Sequence, residues 1–143
     1  MNKKTKWILS IVLVICVGIL AGGIYLFNDI FPKAKAIKLP DTENVISVLL
    51  GCNGPDMTIP MGEKYWEETM ECISNAKPTR QQSLNDYPTA RTYYGISIQT
   101  ADMQYRYFVY EDGNQIYIEI PYEGVYKTNI ELLDLVLQYF QEG

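Results

Sequence analysis

Residues 7–27 read WILSIVLVICVGILAGGIYLF, twenty-one positions without a charge, and Lys3, Lys4 and Lys6 stand just ahead of them. At about 1.5 Å per residue a helix of that length reaches about 31 Å, close to the thickness of a bilayer's hydrocarbon core. A helix closes its own backbone hydrogen bonds, so lipid accepts it. Trp7 at one end and Tyr25 and Phe27 at the other suit the two interfaces. The basic tail, residues 1–6, is expected in the cytoplasm by the positive-inside rule, and everything after Phe27 outside. The expected plan is therefore tail 1–6, transmembrane helix 7–27, linker 28–41 and an extracellular domain over 42–143.

A cleaved signal peptide is the alternative. Its apolar core usually runs about 7–15 residues, shorter than this one. A small-x-small site does exist at Ala34-Lys35-Ala36, so secretion after cleavage near Ala36 stays open. Gly18 and Gly22 have the small-xxx-small spacing of some helix dimers, although glycine is common in membrane helices anyway.

Charge is unevenly placed. From Leu39 onward six Lys or Arg stand against sixteen Asp or Glu, a net of −10. That argues against nucleic acid, which needs a basic footprint, and against lying flat on anionic lipid. The chain has no histidine. Ser-His-Asp and Cys-His catalysis, histidine acid–base chemistry and His-ligated zinc are thereby excluded, and no metal or cofactor is expected. Cys52 and Cys72 fall in the exported part. A disulfide between them would close a loop worth about 3 kcal/mol in the chain-entropy model; two small buried thiols would serve equally.

Patterning predicts an α+β domain: a small antiparallel sheet of about four to five strands packed against two helices. Residues 44–50 form a short apolar run typical of a strand, and 57–60 an edge strand limited by Pro60. Residues 62–75 place Tyr65, Trp66, Thr69, Met70 and Ile73 on one helical side. Residues 92–99, 103–111 and 115–121 read as three consecutive antiparallel strands, with Asp112-Gly113-Asn114 as a hairpin turn. A last short pairing is expected over 125–127. A final helix begins near Thr128, with Thr128 and Glu131 spaced as a capping box.

At Ile73–Pro88, written in residues as ISNAKPTRQQSLNDYP, and at YIEIPYEGVY over 117–126, the chain resembles a family of uncharacterised Gram-positive cell-envelope domains. The likeness spans about residues 39–137. Val125 stands where that family often has isoleucine. The resemblance implies an exported, membrane-tethered α+β domain and brings no activity and no catalytic residues.

Two arrangements of candidate binding residues follow. The loops carrying the two motifs could meet and bring Lys77, Arg80, Tyr122 and Tyr126 together, or could simply fix loop geometry. Strand alternation also puts Tyr93, Arg106, Phe108, Tyr110 and Tyr117 on a face that would bind partners if left open. The leading expectation is a non-catalytic, membrane-anchored module that binds a protein or cell-envelope component. One alternative is a small envelope hydrolase using carboxylates, for which Asp102, Glu119 and Glu123 are the acids to inspect. The other is an immunity or inhibitor protein steered by its acidic surface.

Overall fold

The structure is a computed structural model and describes residues 2–142. The chain divides into two compact units, one ending at Lys33 and the other starting at Ala34. The first is the helix α1, Lys3–Ile30. It is long and apolar enough to cross a membrane. None of its residues is buried within the protein. The helix extends past the apolar stretch at both ends; ahead of it, Lys3, Lys4 and Lys6 are good helix formers. It closes where the Phe31 amide donates to the Phe27 carbonyl.

The second unit is α+β, as expected. Its sheet has seven strands rather than four to five, all antiparallel. In chain order they are β1 (Val45–Cys52), β2 (Ile59–Pro60), β3 (Lys77–Pro78), β4 (Tyr94–Thr100), β5 (Gln104–Asp112), β6 (Gln115–Ile120) and β7 (Gly124–Thr128). Their order across the sheet is β2-β1-β4-β5-β6-β7-β3. The undercount has a simple cause. The short edge pairing at β2 was expected, but β3, two residues like β2, is too short for any period and lies in a stretch with the composition of a loop. Both contain proline, which can sit in a sheet only at an edge.

Two helices cover one face: α2, Trp66–Ser74, entered through a 3-10 turn at Glu63–Tyr65, and α3, Ile130–Glu142. The period-two residues Val48, Leu50, Ile96, Ile98, Val109 and Ile118 meet Ile73 of α2 and Leu132 and Val136 of α3 in one core. Tyr65 and Tyr139 join the helices edge to face, with ring centres 5.3 Å apart. The expected capping box gives way to another contact. Thr128 closes β7, and the Asn129 side-chain Nδ2 donates to the Glu131 carboxylate at 2.7 Å.

The segment read as linker contributes to this core. Ala34, Ile37 and Leu39 pack against it. The Ala34 amide donates to Thr79, and the hydroxyls of Tyr126 and Tyr107 donate to the carbonyls of Lys35 and Lys38. Gly124, at φ 152°, lets the chain pass: a Cβ there would stand 2.6 Å from that of Ala34.

Candidate functional site

The sheet face opposite the helices is not an open aromatic surface. Phe108 is fully buried and Tyr110 nearly so. Residues 79–93 lie over this face as a strap. Tyr87 and Tyr93 pack edge to face on Phe108, at 5.6 and 5.5 Å between ring centres. Ser83 reaches down to Glu119, its hydroxyl donating to the carboxylate at 2.7 Å. Tyr110 also hydrogen-bonds Glu119, and burial first, then that carboxylate, push the Tyr110 hydroxyl well above its ordinary range. This is why β5 is apolar on both faces: one meets the helices, the other the strap.

The two motif stretches are pairing partners. Lys77 and Pro78 of β3 stand opposite Lys127 and Tyr126 of β7. Thr79 continues the ladder by donating its amide and its hydroxyl to the Val125 carbonyl, and the Val125 amide donates to Gln81. Tyr126 is fully buried on the helix side, so it does not share a surface with Lys77, Arg80 and Tyr122. Tyr117 is half-buried and stacks on Tyr110. Tyr93 stacks on Tyr87. Arg80 is half-buried on the strap. The two motifs are thus held together by main-chain pairing rather than by Tyr126 at a shared surface.

Cys52 and Cys72 are both free. Cys52 ends β1 opposite Tyr94. Cys72 lies on α2 near Glu131, Glu68 and Glu71, where burial and then those acids raise its thiol. The candidate disulfide is not formed in this arrangement.

A cleft of about 710 Å³ opens on one side of the sheet. Gln104, Tyr105, Arg106 and Tyr107 of β5 line it along one side, and Ile120, Pro121 and Glu123 along another. Lys38 closes it towards the helix face, and Asp86 and Tyr87 of the strap towards the other. Two cations, Lys38 and Arg106, and two carboxylates, Asp86 and Glu123, thus share its lining, in a domain that is otherwise strongly acidic. Arg106 is exposed, and its guanidinium donates to the Gln104 side chain at 3.2 Å.

Tyr122 stands beside the cleft. It is 67% exposed, and its hydroxyl donates to Asp86 at 2.8 Å. That bond, together with the Asp86 charge, raises its ionisation above the ordinary value. Its φ is 62°, in the left-handed region that a side chain rarely adopts. The Glu123 amide bonds the Ile120 carbonyl across it. The turn has Pro121 at its second position and positive φ at its third, where glycine or asparagine is usual.

Of the residues singled out in the sequence, Arg106 lines this cleft and Tyr122 adjoins it. Lys38, Asp86, Tyr87 and Tyr105 were not foreseen, because no local pattern links positions so far apart. Of the acids considered for hydrolysis, Glu123 lines the cleft, Glu119 is buried under the strap and Asp102 is exposed in the β4–β5 turn. Among the described residues no cluster of three or more Cys, Asp or Glu is placed to hold a metal ion.

Comparison with known proteins agrees with this architecture. A family model for DUF5301, described as a domain of unknown function (DUF5300), matches residues 33–127. The match begins within one position of the start of the compact unit. A solved structure, the NMR structure of a protein from Ruminococcus gnavus, is similar at 31% identity with a TM-score of 0.53, over 65% of this chain and 91% of that one. Among curated proteins none matches the chain.

Proposed function

The chain belongs to the DUF5301 family, whose function is not defined, and from that premise we propose that it is a non-catalytic module anchored in the cell membrane by α1. Its α+β domain lies outside, and the cleft along β5 binds a protein or cell-envelope component. The observation that carries this reading is the cleft itself, a concavity of ligand-binding size lined by aromatic side chains and by charges of both signs. The lysines before the apolar helix support the orientation. The resemblance of the two motifs supports a Gram-positive envelope as the setting.

Retention of the anchor is favoured by the fold. Ala34-Lys35-Ala36, the candidate cleavage site, is bonded to Thr79 and Tyr126, and cleavage there would strip those contacts from the domain. A carboxylate hydrolase is disfavoured because the two hydroxyls on Glu119 occupy it under the strap. Asp86, the other acid of the cleft lining beside Glu123, already accepts the Tyr122 hydroxyl.

The test uses the full chain in detergent as bait for solubilised envelope, at low and high salt. The expected outcome is a partner whose capture falls about tenfold or more with Arg106→Glu or Tyr105→Ala. A partner held equally by both variants would move the site off the cleft. Absence of any protein or glycan partner would overturn the module reading. Capture lost at high salt would point to the inhibitor class, with charge carrying the association.

A further inference from the structure

One side of the cleft is an unfinished sheet. β4 pairs with β5 from Gln104 to Val109, but β6 pairs with β5 only from Phe108 to Asp112. Residues 104–107 of β5 therefore have a neighbour on one side alone. In an antiparallel ladder, successive residues direct their main-chain groups to opposite neighbours. The Thr100 amide bonds the Met103 carbonyl, which assigns the odd-numbered residues of β5 to β4. The tight β5–β6 hairpin closes on the pair Asp112 and Gln115, which assigns the even-numbered ones to β6. Gln104 and Arg106 thus aim their N–H and C=O groups into the cleft. Among the described residues no backbone hydrogen bond reaches them there.

What keeps the slot open is the turn after β6. Extending the β5–β6 register would set Pro121 opposite Arg106 and Tyr122 opposite Tyr105. Proline cannot donate to that ladder. Tyr122 instead takes φ 62° and swings the chain away into β7, with its hydroxyl fixed on Asp86. A non-glycine residue in that conformation carries strain that persists only where its surroundings hold it.

We propose that an extended segment of a partner protein enters this slot and adds to β5 as a strand, exchanging hydrogen bonds with the main chain of Gln104 and Arg106. The proposal rests on the binding-module reading and specifies its ligand. The unpaired groups are donors and acceptors repeated every second residue, about 7 Å apart. Another extended backbone has the same repeat; a sugar or a lipid headgroup does not. Strand addition at an exposed edge takes affinity from those bonds and specificity from alternate side chains. One row of the incoming side chains would face Tyr105, Ile120 and Lys38, an apolar wall with one cation. The other would face Arg106, Gln104 and Asp86, which are polar. The segment that fits alternates apolar with polar residues.

The test starts from the full chain in detergent micelles and a phage-displayed library of linear peptides of about ten residues. Selected peptides are resynthesised with a single N-methyl group at each position in turn. Strand addition predicts affinity losses of about tenfold at alternate positions and little change at those between. Bound peptide should slow amide exchange at Gln104 and Arg106 by about tenfold or more. Arg106→Pro removes one free N–H without touching the β4 ladder, and should lose about tenfold more affinity than Arg106→Ala. Should Arg106→Pro fail to fold, the N-methyl scan carries the test alone. Binders that respond to Tyr105→Ala but ignore N-methylation would overturn strand addition and leave the cleft reading standing. A library yielding no binder overturns strand addition; if envelope capture also finds no partner, both readings fall.

Discussion

Tyrosine does several different jobs in this domain, set by where each hydroxyl ends. Tyr107 and Tyr126 carry core-facing rings and spend their hydroxyls on the carbonyls of Lys38 and Lys35. Tyr110 is buried on the other face against Glu119. Tyr122 keeps its ring in solvent and accepts an unfavourable backbone to reach Asp86. For Tyr107 the upward shift comes from burial first, then from Tyr105, Glu123 and Tyr126. Both Tyr107 and Tyr110 are raised from the ordinary value of 10.0. The sign of the consequence is definite. Below pH 10 both states hold these protons and the fold keeps its full stability. As pH rises past 10 the unfolded chain ionises while the folded one does not, so stability falls. Stepwise alkaline titration should show tyrosinate absorbance for these two appearing together with loss of secondary structure in circular dichroism. Ionisation of every tyrosine before any unfolding would contradict their burial.

Among the elements, the strap carries most of the information that local pattern does not. Residues 79–93 have no period of two or 3.6, and their glutamines, asparagine and proline are those of a loop. Their role depends on partners elsewhere in the chain: Ser83 lies 36 positions from Glu119. Glu119 is the latch, a 7% exposed carboxylate accepting from two hydroxyls. Glu119→Ala would leave Ser83 and Tyr110 without their acceptor and should lower stability by about 2–4 kcal/mol in urea denaturation. The strap should also loosen ahead of global unfolding, seen as faster tryptic cleavage after Arg91. Unchanged cleavage in that variant would mean that the aromatic contacts of Tyr87 and Tyr93 hold the strap unaided. The main strands and both covering helices, by contrast, were legible in the sequence. Their core residues alternate at two or recur at 3.6, and burial on one face imposes those periods directly. β3 was illegible as a strand, since two residues define no period, while β2 was expected as an edge strand over 57–60. The cleft was illegible altogether: Lys38 comes to its place through a bond to Tyr107, 69 positions along the chain.

For the molecule as a whole, the apolar helix and the acidic domain were plain in composition. The point where the domain begins was not. The polar stretch after Lys33 has the look of a tether, yet Ala34, Ile37 and Leu39 pack against the core. Topology can be tested through the cysteines. Cys52 is exposed on the domain, and Cys16 lies within α1. A membrane-impermeant maleimide applied to intact cells should label Cys52 in the cell-bound protein, and Cys52→Ser should abolish most of that signal. Labelling that appears only after the membrane is opened would reverse the proposed orientation. Labelled protein in the medium, shortened by the helix, would establish cleavage near Ala36.

The blunted outer edges described above bear on life at a surface. A chain anchored as proposed shares two dimensions with its own copies, and encounters between them are far more frequent than in free solution. Each rim of the sheet ends in a two-residue strand holding Pro60 or Pro78, and β1 next to one of them carries an irregularity at Ile46 in its pairing with β4. Such edges do not template a neighbour's strand. Crowded molecules can therefore jostle without zipping into sheets, while the recessed edge of β5 stays out of reach of another folded copy and accessible to a single thread of chain.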